Sequence, residues 1–163
     1  MGDFDKAFES VIGFEGGYVS DPSDPGGETR YGISKRSYPG VDVRNLTLEQ
    51  AKAIYHRDYW RPLRCDELPP VVGRALFDAA VNSGVRQAVL WLQRAAGVKA
   101  DGDIGPATMG AVYRADPAAL VARLLGHRLA FMTDRLVWAR FGRGWARRIA
   151  DLLKGVADQE RVQ

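Results

Sequence analysis

Glu15, Asp24 and Thr29 are the residues whose types and spacing point most directly to chemistry. Glu15 stands in "VIGFEGGY", where an apolar pattern gives way to glycines. Asp24 follows with eight residues between, inside "DPSDPGG", and Thr29 with four more between. A carboxyl group turned toward an apolar surface loses hydration, which disfavours its anion and keeps a proton available near neutral pH. Such a group can protonate the departing oxygen of a glycosidic bond, a reaction that usually employs a second carboxylate across the sugar. Asp24 is the candidate for that second group, with Asp21 and Glu28 competing for the role. The Thr29 hydroxyl can hold a water or the second carboxylate, or can be an ordinary turn hydroxyl.

The elements that must position these groups are legible around them. Asp3 is placed to cap a helix through "FDKAFESVIGFE", whose Phe4, Ala7, Phe8, Val11 and Ile12 share one face. Continued at helical pitch, Glu15 falls within about 20° of Phe4 on that stripe, and Gly16-Gly17 stops the helix. Residues 18 to 45 form a long connection of the kind that makes a functional loop or a small β-rich lobe. Tyr18, Tyr31 and Ile33 supply the apolar material to pin it as a short hairpin. A Thr47/Gln50 capping box opens a helix that Arg61-Pro62 ends. Pro69-Pro70 and Gly84 bracket another, and "RQAVLWLQRAAG" ends at Gly97. Pro106 opens a short helix. Asp116-Pro117 opens a long one to about Phe141, and "GWARRIADLLKGV" closes the chain. The expectation is a mainly α protein with one irregular or hairpin lobe, folded as a single compact unit.

Four aromatic residues, Tyr18, Tyr31, Tyr55 and Trp60, have the flat faces that stack on sugars, though each also suits a core. Asp78 and Asn82 lie four apart on a helix and can hydrogen-bond sugar hydroxyls; Asn82 can equally cap the helix before Gly84.

Composition narrows the classes. The chain has 163 residues, one cysteine and two histidines, too few for a zinc cluster of three or four N/S ligands. "DPSDPGGETRYG" and "DGDIGPATMGAV" lack the acidic ligands of a calcium loop. Neither a metal nor an organic cofactor is expected. No apolar run reaches the roughly 20 residues of a membrane span, and no secretory leader is visible. The expectation is synthesis in the cytoplasm with later release, and no stable membrane insertion. Residues 114 to 154 carry nine Lys/Arg against three Asp/Glu, a face that attracts polyanions or is merely solvated. No recognition-helix motif accompanies it, which ranks nucleic acid low as a partner.

The strings "EGGYVSDPSDPGGETRYGIS", "YHRDYWRPLRCDELP" and "FDAAVNSG" resemble glycoside hydrolase family 108, N-acetylmuramidases found among phage endolysins. The Glu-Asp-Thr order is also similar to phage-type lysozymes, with the threonine spacing off by one residue. The resemblance implies a lysozyme-like domain over 1–84 and Glu15 as its catalytic glutamate. "LWLQRAAGVKADGDIGPATMGAV" looks like a peptidoglycan-binding signature, implying a helical wall-binding region over 85–163. Implied too are cleavage of the β-1,4 bond between N-acetylmuramic acid and N-acetylglucosamine, bacterial peptidoglycan as partner, and action as a monomer. A lytic transglycosylase and a non-catalytic wall-binding module are the rival readings.

Overall fold

In the first turn of the chain, the Asp5 carboxylate accepts from the Gly2 amide at 3.1 Å. Gly2 therefore caps helix α1 (Asp3–Ile12), and Asp3, expected as the cap, is its first residue. A computed structural model of the chain describes residues 2–13, 17–20 and 27–160. Its secondary structure is mostly helical, with a small three-stranded antiparallel sheet, as the sequence led one to expect. The chain divides into two compact units, residues 1–60 and 61–163.

In the first unit α1 ends at Ile12, four residues before the Gly16-Gly17 pair expected to stop it. Gly13 turns to φ 66°, ψ −178° while its amide donates to the Glu9 carbonyl at 3.1 Å. Only glycine takes that left-handed φ without strain, so the helical phase stops there. The helix expected to run through Glu15 therefore ends at Ile12, and Glu15 itself lies outside the described residues. Beyond it come β1 (Val19–Ser20), β2 (Glu28–Arg30) and β3 (Ile33–Ser34), in the order β1-β2-β3, so the expected hairpin is a ribbon of three strands. Arg30 pairs with Ile33 across a two-residue turn, Tyr31 at φ 50° and Gly32 at φ 74°. Two positive φ values match the right-handed twist of the strands the turn joins. The Tyr55 hydroxyl donates to the Tyr31 carbonyl at 3.1 Å, and a Cβ on residue 32 would collide with that hydroxyl.

Helix α2 (Leu48–Tyr55) begins as expected: the Gln50 amide donates to Thr47 Oγ1 at 3.2 Å, and the Thr47 amide to Gln50 Oε1 at 2.9 Å. It runs on as a π turn, His56–Trp60. Against it α1 packs Phe8 on Tyr55 and Phe4 on His56 and Trp60, edge to face at 4.9–5.4 Å. Val43 and Leu46 are buried and fasten the connection that precedes α2.

The second unit comprises a 3₁₀ turn (Cys65–Glu67) and helices α3 (Pro70–Ser83), α4 (Val85–Ala96), α5 (Pro106–Arg114), α6 (Pro117–Thr133) and α7 (Trp138–Glu160). The punctuation is as expected at α3, α4, α5 and the start of α6. Gly84 takes φ 87° and Gly97 φ 71°, and Asp116 Oδ1 accepts from the Ala119 amide at 2.7 Å. Its core is drawn from α3 (Val72, Leu76, Phe77), α4 (Trp91, Leu92) and α6 (Leu120, Leu124, Leu125), with Ile149 from α7. One helix to about Phe141 was expected; the structure breaks it after Thr133 and starts α7 at Trp138. Gly142, expected near a boundary, lies inside α7. The Trp138 ring rests where a Gly142 side chain would be, 2.6 Å from an ideal Cβ.

Candidate active site

The ribbon of the first unit gathers polar groups on either side of the acid-rich loop. Tyr18, one residue ahead of β1, donates its hydroxyl to Glu28 Oε1 at 2.8 Å. The Arg44 guanidinium lies 3.7 Å from the same oxygen and 5.7 Å from the centroid of the Tyr18 ring. Arg30, on the ribbon face of Glu28 by strand alternation, donates to the Arg44 carbonyl at 2.6 Å and lies 5.4 Å from the Tyr31 ring. The outcome is a half-buried carboxylate fixed by a phenol and a cation, with oxygen lone pairs left to accept from a hydroxylated ligand. Thr29 occupies the centre of β2, opposite Val19 and Ser34, so its side chain points to the other face of the ribbon from Glu28.

At the C-terminal end of α1, Phe8, Glu9, Ile12 and Gly13 form a groove of about 370 Å³ with Leu48 and Lys52 of α2. Its floor is apolar and its rim carries one acid and one base, the usual character of a small-molecule cleft. Gly13, at its lip, precedes Glu15 by two residues. Glu15 and Asp24, with the competing Asp21, lie outside the described residues.

Other sugar-binding expectations change. Trp60 is only 1% exposed and packs on Phe4, so no face of its ring can stack on a sugar. Tyr55 is likewise core; Tyr18 and Tyr31 remain half-exposed. Asp78 is 3% exposed, with Arg128 NH1 at 2.6 Å from one carboxylate oxygen and Arg148 Nε at 2.7 Å from the other. Two guanidiniums therefore hold it inside the second unit, where it cannot reach a sugar hydroxyl. Asn82 is exposed, and its Nδ2 donates back to the Asp78 carbonyl at 2.9 Å, neither capping Gly84 nor sealed from solvent. Cys65 is buried with its Sγ 3.6 Å from the Gly73 carbonyl, and desolvation pushes its thiol well above the ordinary range, which suits a packing role.

The loop "KADGDIGPAT" of the second unit is organised by one buried side chain. Gln93 Nε2 donates to Asp101 Oδ1 at 2.8 Å, to the Asp103 carbonyl at 2.9 Å and to Thr108 Oγ1 at 3.1 Å. Its Oε1 accepts from the Gly102 amide at 2.9 Å. The Gln93 bond and the Asp103 amide hold the Asp101 carboxyl below the usual carboxylate range. The motif's polar groups thus face one another and shape the turn. Gln93→Ala should lower stability by about 2 kcal/mol, since it strands these donors and acceptors. A urea midpoint equal to the parent's would show that the loop holds itself.

The sequence reading missed Arg30, Arg44, Leu48 and Lys52. Phe8 with Ile12 and Leu48 with Lys52 are spaced four apart, which hints at facing helical stripes. No local pattern links Arg44 to a tyrosine 26 positions earlier.

The glycosyl hydrolase 108 family model matches residues 8–84, and the model of a predicted peptidoglycan domain matches residues 87–150. Among solved structures, that of SagA from Brucella abortus superposes with a TM-score of 0.85 at 35% identity, covering 95% of this chain and 94% of that one. No curated protein matches the chain. With its front half matched by one family model, its back half by the other, and its fold shared at 35% identity along nearly its whole length, the chain belongs to glycosyl hydrolase family 108 and is a glycoside hydrolase with a C-terminal peptidoglycan domain.

Proposed function

We propose that this peptidoglycan hydrolase is an N-acetylmuramidase that cleaves the β-1,4 bond between N-acetylmuramic acid and N-acetylglucosamine, serving as a phage or prophage endolysin. The observation that carries the reading is the apolar groove at the end of α1, two residues ahead of Glu15 and inside the stretch matched by the hydrolase family. A sugar bound beside a carboxyl excludes water from it, the condition under which a carboxyl stays protonated. In this mechanism Glu15 gives its proton to the leaving oxygen as the bond to the anomeric carbon breaks. Asp24 stabilises the oxocarbenium-like centre or activates water on its opposite face, with Thr29 orienting that water. Tyr18 and Tyr31 present half-exposed rings to the saccharide, and Glu28, fixed by Tyr18 and Arg44, accepts a sugar hydroxyl.

Residues 1–84 act as the catalytic region and 85–163 as the wall-binding region, the cationic surface of residues 114–154 drawing the monomer onto the anionic wall. The reaction moves protons and one water, so no cofactor is needed. The protein is made in the cytoplasm and acts at the periplasmic wall after release. Mass spectrometry of digested sacculi tests the bond and the chemistry together. The expected products end in reducing N-acetylmuramic acid, one water heavier than the cleaved linkage. Anhydro-muramyl ends would show instead a lytic transglycosylase, in which no water is added.

A further inference from the structure

The corner between α6 and α7, residues 134–137, carries an apolar surface that the second unit does not cover. Leu136 is fully exposed, and Val137 and Phe141 stand nearly half exposed beside it. Trp138 and Trp145 continue the surface along α7 with ring centroids 6.1 Å apart. Arginines are interleaved with these residues: between 131 and 148 there are five, four of them besides the Asp78-bound Arg148, against the single acid Asp134. We infer that this corner docks on the surface of an anionic lipid bilayer, with Leu136 and Val137 entering the headgroup boundary and Arg135, Arg140 and Arg143 meeting lipid phosphates.

Charge complementarity and side-chain shape select this occupant. Arginines interleaved along the sequence with exposed aliphatic and aromatic side chains suit an interface that is oily below and anionic above. A glycan would need open ring faces, and here they are taken. The Arg135 guanidinium sits 3.7 Å from the Phe131 centroid and that of Arg140 5.1 Å from the Phe141 centroid. Phe141 and Trp145 stack on each other at 26°, and the Trp138 ring lies against Gly142. What projects furthest is aliphatic, with no flat face to offer a sugar. Among the described residues no helix is long and apolar enough to cross a membrane, so the contact is peripheral. The inference uses none of the groove or ribbon residues, so it stands apart from the cleavage chemistry, but it assigns Arg135, Arg140 and Arg143 of the 114–154 cationic surface to lipid in place of the wall.

The test is cosedimentation of the full chain with phosphatidylglycerol-containing vesicles and with pure phosphatidylcholine vesicles, at low and high salt. Tryptophan emission is recorded alongside. The chain is expected to pellet with the anionic vesicles only, with a blue shift, and to be released by salt. The exposed double variant L136D/V137D should bind them at least about tenfold more weakly, as expected when two apolar anchors are lost. Its thermal midpoint should stay within a few degrees of the parent's, because Leu136 is fully exposed and Val137 nearly half so. Equal vesicle binding by parent and double variant would overturn the inference, and so would no binding at low salt. An equal loss of the variant's binding to lipid-free sacculi would overturn it too, showing a wall-binding surface instead.

Discussion

Glu15→Gln is expected to slow turbidity clearing of purified cell walls by about 10²- to 10⁴-fold, the usual contribution of a positioned general acid. The amide keeps the shape of the side chain but has no acidic proton for the leaving oxygen. The contacts that build the first unit, Phe8 on Tyr55, Phe4 on His56 and Trp60, and Lys52 on Asp5 at 3.0 Å, use other residues and should hold its unfolding midpoint at the parental value. Binding to sacculi should persist. Clearing at the parental rate would remove Glu15 from the mechanism, whatever the standing of the family assignment. Matching amides at Asp21, Asp24 and Glu28 identify the second carboxylate, and Asp24→Asn should give the largest loss of the three. Glu28→Gln keeps an acceptor for the Tyr18 hydroxyl and should act mainly on KM.

Asp78→Ala carries the second large effect, on stability. It removes the acceptor shared by Arg128 and Arg148 and leaves the Arg128 guanidinium, 2% exposed, without a counter-charge. Breaking a buried pair from one side costs about 3–5 kcal/mol, or roughly 10 °C in thermal midpoint for a chain of this size. The carboxylate joins α3 to α6 and α7 at once, so all three helices lose a common fastening. Combining Asp78→Ala with Arg128→Met should recover part of the loss, because the stranded charge is gone. Asn82→Ala, one turn further along α3 and exposed, should shift stability by less than about 0.5 kcal/mol. A melting point for Asp78→Ala within a degree or two of the parent's would mean that solvent reaches Arg128 and that the cluster is incidental.

Signals confined to a few neighbouring residues could be read from the sequence. The Thr47/Gln50 box, Pro70 against Gly84, and Asp116-Pro117 each set a helix end through backbone groups at most a turn away. Errors arose where a distant partner or a ring decided the outcome. Gly13, ahead of the Gly16-Gly17 pair expected to do so, takes the left-handed φ that ends α1. The break at residues 134–137 has neither proline nor glycine to announce it, and Gly142 is held inside α7 under Trp138. Trp60 and Asp78 show the same limit at the level of the site. Their types suit sugar recognition, but their burial depends on Phe4 and on arginines 50 and 70 positions away. Thr29 was picked out as a hydroxyl, yet the face it occupies follows from pairing with Val19 and Ser34, which spacing alone does not supply.

The tether from the Tyr55 hydroxyl to the Tyr31 carbonyl gives the ribbon a mechanical character. Its turn end is nailed to the rigid helix beneath, and the bare Gly32 backbone lets the nail sit flush. A polymer arriving at that edge meets a standing wall instead of a swinging flap, so the entropy of ordering this border has been surrendered during folding and is not subtracted again at each encounter.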